Sequence, residues 1–503
     1  MPVIFPVSRE FARRPVRTRL APLPSASGSH SKSRVRLAAI DRLLLLAFLA
    51  VAVLGTATSC LMVNDGAVFV AAQWLGDAWD LYLRQVASRG LSVLLTFGPA
   101  WAARSLFGLS SGTFVVVAHA LYFAVPLAFW ALIRAIEPHP SFARLFLAIS
   151  MVLVYFPSEL IVGIGLWTIW AALLAAPGRR RSQAALATLG LGIAMVFTHP
   201  ATILMTVLYT AVGAALTFSG RPFPPRTWLP AAAMVVLLTI GYLATSTLLP
   251  STNPTIVRAW AENSSSYIDP WWMLATIGRS PMLAALWLLL LAPGANALGL
   301  RWRVAPIAML AIAAFGLWFA VNGITQVTWI TTRHTAVHVL ALALALAVTA
   351  SPAAWTEQAS RALGLYVAIV VAAALSYSVD MTLLGRYVGH RLAPGYADAE
   401  ALREPPWPPP RQPATLGRVV FKWTAGADYV RDVVVPDYDW YLLTLAFQSY
   451  FLSDRTAVLF HRISEAGWVP FECPPVRRAL EHARDERDAK FLRFMLDTGY
   501  CVR

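Results

Sequence analysis

Leu91-Ser92-Val93-Leu94-Leu95-Thr96-Phe97-Gly98-Pro99-Ala100-Trp101-Ala102-Ala103-Arg104-Ser105-Leu106-Phe107 is the stretch on which the architecture turns. It is apolar enough to resemble a membrane span. It is short, however, holds Gly98-Pro99 at its middle and carries Arg104. If it crosses a bilayer, every later loop changes side; if it does not, the loops keep theirs.

The composition makes the bilayer the right solvent to consider. Of 503 residues, 58% are hydrophobic and 13% charged, and mean hydropathy is +0.59. A soluble domain carries roughly 25% charge. Disordered, disulfide-rich secreted and ordinary soluble classes are therefore excluded, and a polytopic membrane protein remains. Apolar runs of spanning length fall at 43–63, 112–133, 143–157, 162–177, 183–198, 200–218, 228–248, 280–296, 304–322, 335–350 and 363–382.

Loop charge decides the case of 91–107. If it does not cross, Arg134, Arg144, Arg179, Arg180, Arg181, Arg221, Arg226, Arg301, Arg303 and Arg361 share a side with the basic N-terminal arm. Basic loops mark the cytoplasmic side. The reading is therefore an all-α polytopic membrane protein with about 11 transmembrane helices and a cytoplasmic N-terminus. The segment 91–107 would lie at the outer interface or dip in without crossing. Four parts follow: a basic disordered arm at 1–42, a transmembrane domain at 43–383, a Pro-rich linker at 384–412 and an outer domain at 413–503. The net charge of +15 divides as +7, +7 and +1 among arm, membrane body and the remainder after residue 383. This distribution orients the chain and gives no support to a nucleic-acid partner.

The C-terminal part reads as a small α/β domain. Segments 418–423 and 456–460 read as strands, and 439–452 and 476–496 as helices. Cys473 and Cys501 are its two cysteines, and on an outer, oxidising side a disulfide between them is expected. His119 and Cys60 lie within spans and are assigned to packing.

Polar residues beside the outer membrane face are the candidate site, because ionisable groups there are costly. Asp65, in Val63-Asn64-Asp65-Gly66, stands where the first span ends. Two readings stand for it: a helix-end residue turned on Gly66, or an interfacial carboxylate that takes a proton from an attacking acceptor. Beyond it, 73–86 is amphipathic. Leu75, Trp79, Tyr82 and Val86 share one face and Trp74 its edge, at headgroup level, while Asp77, Asp80 and Arg84 form a solvated face. Glu159, after Pro157, is either a helix cap or a functional acid. His199, in Thr198-His199-Pro200, either sits in a wet turn or binds phosphate. Arg333 and His334 form the densest outer cationic site, suited to phosphate oxygens or to lipid headgroups. Arg258 and Arg279 are weaker versions of it.

The order of these pieces resembles the GT-C superfamily of polyprenyl-phosphate-dependent glycosyltransferases. Asn64-Asp65-Gly66 after the first span, the 73–107 region, and Leu106-Phe107-Gly108-Leu109-Ser110 before the second carry the resemblance. It covers about 40–180 in pattern and the rest in topology. A second acid beside Asp65 and a Lys/Arg-Pro-Pro motif are absent; Ser88-Arg89-Gly90-Leu91 stands in the latter's place. The resemblance implies interfacial helices in the first outer loop and a periplasmic C-terminal domain. It implies sugar transfer from a polyprenyl-phosphate donor to a lipid, glycan or protein acceptor at the outer face of a bacterial cytoplasmic (inner) membrane. Asp65 would be the general base, and Glu159 would orient acceptor or metal. His199, Arg333, His334, Arg258 and Arg279 would bind substrate phosphate. No metal-ligand set is legible, and a divalent metal stays open as cofactor. The rivals are an O-antigen polymerase- or ligase-type glycan enzyme, which would depend on Arg333 and His334 but not Asp65, and a non-enzymatic transporter or structural membrane subunit.

Overall fold

The computed structural model describes residues 27–62, 65–75, 89–136, 141–153, 160–175, 181–218, 225–248, 367–368, 371, 375, 378, 396–398, 450–451, 458–460, 473–498 and 501. Apart from one short strand pair, these residues are helical or lie in turns. Three helical segments are long and apolar enough to cross a membrane: Ala39–Ala57, Ser111–Ile136 and Leu229–Leu248. Large apolar side chains stand exposed along them, among them Leu46, Val53, Val116, Leu132, Val236, Ile240 and Leu243. In water such a surface would be an association hazard; in lipid it is the expected exterior. The described part is that of a helical membrane protein.

Helix α1, Ser27–Ala57, reaches back into the segment expected to be a disordered arm. The last proline of the arm is Pro24, and nothing after it forbids a helix. At the other end α1 stops at Ala57, short of the expected 63, in a turn where Ser59 takes φ 53°. Helix α2 then starts at Asp65 and ends at Leu75. Ala67, Phe69, Val70, Ala71, Ala72, Trp74 and Leu75 along it are buried.

The deciding stretch is broken in two. Helix α3 covers Gly90–Thr96 and α4 covers Gly98–Phe107, with Phe97 as the C-cap of one and the N-cap of the other. Pro99 stands in the first turn of α4, where its missing N–H costs nothing. Neither piece approaches the roughly 20 residues a helical span requires. Their exposed residues are Leu94, Leu95, Pro99, Trp101, Ser105, Leu106 and Phe107, with no charge among them. Gly108 closes α4 in the left-handed conformation (φ 57°, ψ 48°), its N–H donating to Arg104 O. Helix α5, Ser111–Ile136, follows.

Helices α1 and α5 run antiparallel. At one end Asp41 pairs with Arg134 (2.8 Å) and with Arg144 (2.6 Å). In the middle Phe48 meets Phe123, and at the far end Leu61 meets His119. The chain therefore leaves α1 and enters α5 at the same end, and α2 to α4 do not traverse the bundle.

Helices α6 (Ser141–Leu153), α7 (Leu160–Ala175), α8 (Arg181–Val196), α9 (Ala201–Phe218) and α10 (Pro225–Leu248) coincide with runs expected to span. Helix α7 is the core, buried nearly all round against α3, α5, α6, α8 and α9. Its Trp167 and Trp170 donate to Thr206 and Thr188 at 3.0 and 3.1 Å and enclose Tyr209. The expected spans at 280–296, 304–322 and 335–350 lie outside the described residues. Within 363–382, Val367, Ala368, Val371, Leu375 and Ser378 are helical.

The C-terminal part departs from expectation in three ways. The segment expected to be only a linker supplies strand β1, Tyr396–Asp398, which pairs in parallel with β2, Val458–Phe460, the described core of the strand expected at 456–460. The single helix expected over 476–496 is two: α11, Cys473–Glu481, and α12, Glu486–Asp497. Asp485 causes the break, its extended backbone and carboxylate capping α12 through Asp488 N at 2.6 Å. Cys473 and Cys501 are bonded as expected, with Cα atoms 4.8 Å apart, closing the hairpin. Segment 418–423 and most of 439–452 lie outside the described residues.

Candidate functional site

The connection from α1 to α5 is built from the α1 exit outward. His119, one helical turn above Val115 on α5, is fully buried. Its Nδ1–H donates to Val115 O (2.6 Å), which leaves the Nε2 lone pair to accept Leu61 N–H (2.9 Å). One imidazole thus fixes the chain four residues before Asp65. A Cβ on Gly55 would collide with Phe123 and Cys60, so α1 and α5 touch closely just before that turn.

Asp65 is the first residue of α2. Phe69, one turn on, stacks on Phe97 at the α3–α4 break (4.6 Å), and Phe97 stacks on Tyr122 of α5 (5.7 Å). An aromatic column therefore ties α2 to the break and the break to α5.

Trp74, expected at headgroup level, is instead buried. Its ring meets Tyr450 (5.7 Å), Phe451 (5.6 Å) and Phe491 (6.4 Å), with the Arg104 guanidinium 5.8 Å from its centroid. The C-terminal residues give the indole an apolar alternative to the headgroups. Residues 76–88, which include Asp77 and Asp80, lie outside the described residues.

Around this ring lies a polar cluster. Asp488 of α12 is 5% exposed. Its Oδ1 accepts from Ser111 Oγ at 2.7 Å and from the Tyr450 hydroxyl. Tyr450 stacks on Phe491 (3.9 Å), Arg487 lies over its ring (4.7 Å), and the Arg487 guanidinium donates to its carbonyl. Burial, reinforced by the Asp488 carboxylate, pushes the Tyr450 phenol above its ordinary range. Burial lowers Arg104, and the charge of Asp488 opposes that shift. The Arg484 side chain occupies the space a Cβ on Gly108 would need.

Of the seven residues singled out in the sequence, Asp65 and His199 are described. His199 is buried in the α8–α9 turn, and its Nδ1 accepts Ala201 N–H at 3.1 Å, capping α9. Its carbonyl accepts both the N–H and the hydroxyl of Thr202. The first connection reaches this turn: Leu91 N–H, opening α3, donates to Phe197 O at 3.0 Å. Glu159, Arg258, Arg279, Arg333 and His334 lie outside the described residues. His119, Trp74, Tyr450 and Asp488 were not anticipated as site residues. A lone histidine in an apolar run was a signal; Asp488, among the alternating charges of a solvated-looking helix, gave none. Among the described residues no three His, Cys, Asp or Glu side chains gather as a metal site would need.

Comparison of the chain with protein-family models, with curated proteins and with solved structures finds no match.

Proposed function

We propose that the chain is an integral-membrane glycosyltransferase of GT-C type. It would move a sugar from a polyprenyl-phosphate carrier to a lipid, glycan or protein acceptor at the outer face of a bacterial cytoplasmic membrane. In this reading eleven spans place the N-terminus in the cytoplasm and the C-terminal α/β domain in the periplasm. The observation that carries the proposal is one of order: an acid heads α2, the first helix after α1, two more short helices follow it among the described residues without traversing the bundle, and a left-handed Gly108 turn leads into α5. The uncharged exposed face of α3 and α4, with Leu106 78% and Phe107 73% exposed, suits a segment lying in the lipid interface. A donor with a polyprenyl tail would meet the protein there.

Asp65 takes the acceptor's proton as the acceptor attacks the anomeric carbon. Arg333 and His334, with Arg258 and Arg279, stabilise the phosphate that leaves, and Glu159 orients acceptor or a divalent metal. His199 is committed to capping α9 through Nδ1, so that nitrogen takes no part in phosphate binding.

The test is transfer from radiolabelled polyprenyl-phosphate monosaccharides by membranes holding the full chain. Asp65→Asn should abolish it while the protein accumulates normally; unchanged transfer sinks the role given to Asp65. Loss in Arg333→Ala beside full activity in Asp65→Asn would move the reading to a polymerase- or ligase-type glycan enzyme.

A further inference from the structure

The hairpin α11–α12 and the neighbouring Tyr450 and Phe451 grip the first connection at three separate points. Tyr450, Phe451 and Phe491 enclose Trp74 at the C-terminal end of α2. Arg484 lies over Gly108, which ends α4. Asp488 accepts from Ser111, which opens α5. The hairpin is itself rigid: Asp485 caps α12, Phe491 stacks against Phe494, and the Cys473–Cys501 bond ties the start of α11 to the chain beyond α12.

Apolar burial alone would hold these elements together without fixing their register. A buried carboxylate is a costly addition to such an interface unless its geometry is used. Here one oxygen, Asp488 Oδ1, receives two hydroxyls from two different elements, Ser111 and Tyr450, and those hydroxyls stand 3.4 Å apart. That arrangement permits one placement of α12 on α5, and through Tyr450 and Trp74 one placement of the end of α2. Helix α2 is a single run of 11 residues with Asp65 at its head, so whatever fixes its end fixes its head.

We propose that the C-terminal hairpin is a latch that positions α2, with Asp488 as the positioning residue that sets where Asp65 stands. Its link to chemistry rests on the glycosyltransferase reading; its link to α2 does not. The C-terminal unit is then part of the reaction machinery without contacting the reacting atoms.

The test uses the full chain in lipid nanodiscs, with hydrogen exchange read by mass spectrometry and transfer kinetics read in parallel. Asp488→Ala should speed exchange over 65–75 and 108–114 at least ten-fold while leaving α7, at 160–175, unchanged. Asp488→Asn, which keeps an Oδ1 acceptor, should recover most of the protection. In the transfer assay Asp488→Ala should lower kcat with little change in KM for the lipid-linked donor, and Asp488→Asn should restore much of it. If Asp488→Ala does not accumulate, Ser111→Ala replaces it, with several-fold faster exchange over 65–75 expected. Unchanged exchange over 65–75 in either variant overturns the latch. Faster exchange with unchanged kcat overturns the link to Asp65, and the Asp65→Asn result then stands or falls separately.

Discussion

Replacing His119 by Phe should loosen the exit of α1 without disturbing the bundle around it. The ring of Phe is somewhat larger than the imidazole, so no cavity is left, and once the ring is accommodated the main loss is the Nε2 acceptor. Leu61 N–H, fully buried, then has no imidazole to donate to. Leaving a buried donor unsatisfied costs about 1–3 kcal/mol. The loss of the Nδ1–H bond is milder, because Val115 O keeps its partner within α5. With 1.4 kcal/mol per ten-fold, the turn at 58–62 should open about five- to 150-fold more often. Amide exchange of a peptide over 55–64, compared with one from α7, measures this directly. A faster α7 would mean global loosening through a bad fit of the Phe ring. An unchanged 55–64 peptide would refute the claim that this single histidine fixes the segment before Asp65. If Asp65 depends on that placement, His119→Phe should also lower kcat by more than Cys60→Ser, which alters a buried neighbour without touching the hydrogen bond.

Gly108→Ala should destabilise the α4–α5 junction by about 1–2 kcal/mol, the cost of a Cβ in the left-handed region. The flexible end of Arg484 moves aside at little further cost, so exchange over 104–112 should rise about five- to 30-fold, and no rise would refute the strain assigned to Gly108. Tyr450 gives a pH prediction. Its phenol is raised in the folded state, so its contribution is fully present below the unfolded value of about 10 and is lost as pH rises beyond it. The melting temperature of the protein should therefore fall faster than that of Tyr450→Phe between about pH 9 and about pH 11, on either side of the free phenol's value; parallel curves would refute the sign.

The helical architecture was legible because a bilayer demands long apolar runs whose backbone groups pair within the segment, so hydropathy reports which parts of the chain suit lipid. The breaks were legible where a residue with a backbone rule caused them: Gly98-Pro99 divided 91–107, and Gly108 ended α4. The division of 476–496 is hidden in the helical pattern because a capping Asp485 carries the same charge as the exposed acids of a helix, and only its extended backbone tells them apart. Trp74 was misplaced for a related reason. An amphipathic stretch names two faces but not what covers the apolar one, and aromatic rings from Tyr450, Phe451 and Phe491, hundreds of residues away, cover it here. Asp488 was beyond reach altogether, since nothing local distinguishes a carboxylate that meets Ser111 from its neighbours in solvent.

Helix α5 serves as a ruler for the whole chain. Its 26 residues span about 39 Å, more than the roughly 30 Å of a hydrocarbon core. The charges near its ends fall in two clusters, Asp41 with Arg134 and Arg144 at one end and Asp488 with Ser111 at the other. Charge in the middle of a bilayer is expensive, so this spacing favours the proposed topology, in which the two clusters would lie in opposite headgroup layers. His119 lies between them, about 12 Å from Ser111, and is tolerable there because both ring nitrogens are engaged by backbone groups. In the proposed topology the hairpin that carries Asp488 would stand on the face opposite the N-terminal end of α1. A chain whose two ends lie on opposite faces crosses an odd number of times. The eleven crossings proposed for this chain would satisfy this. Twelve, the count if 91–107 crossed, do not, and the broken helix at Gly98-Pro99 and the antiparallel pairing of α1 with α5 argue against that crossing independently.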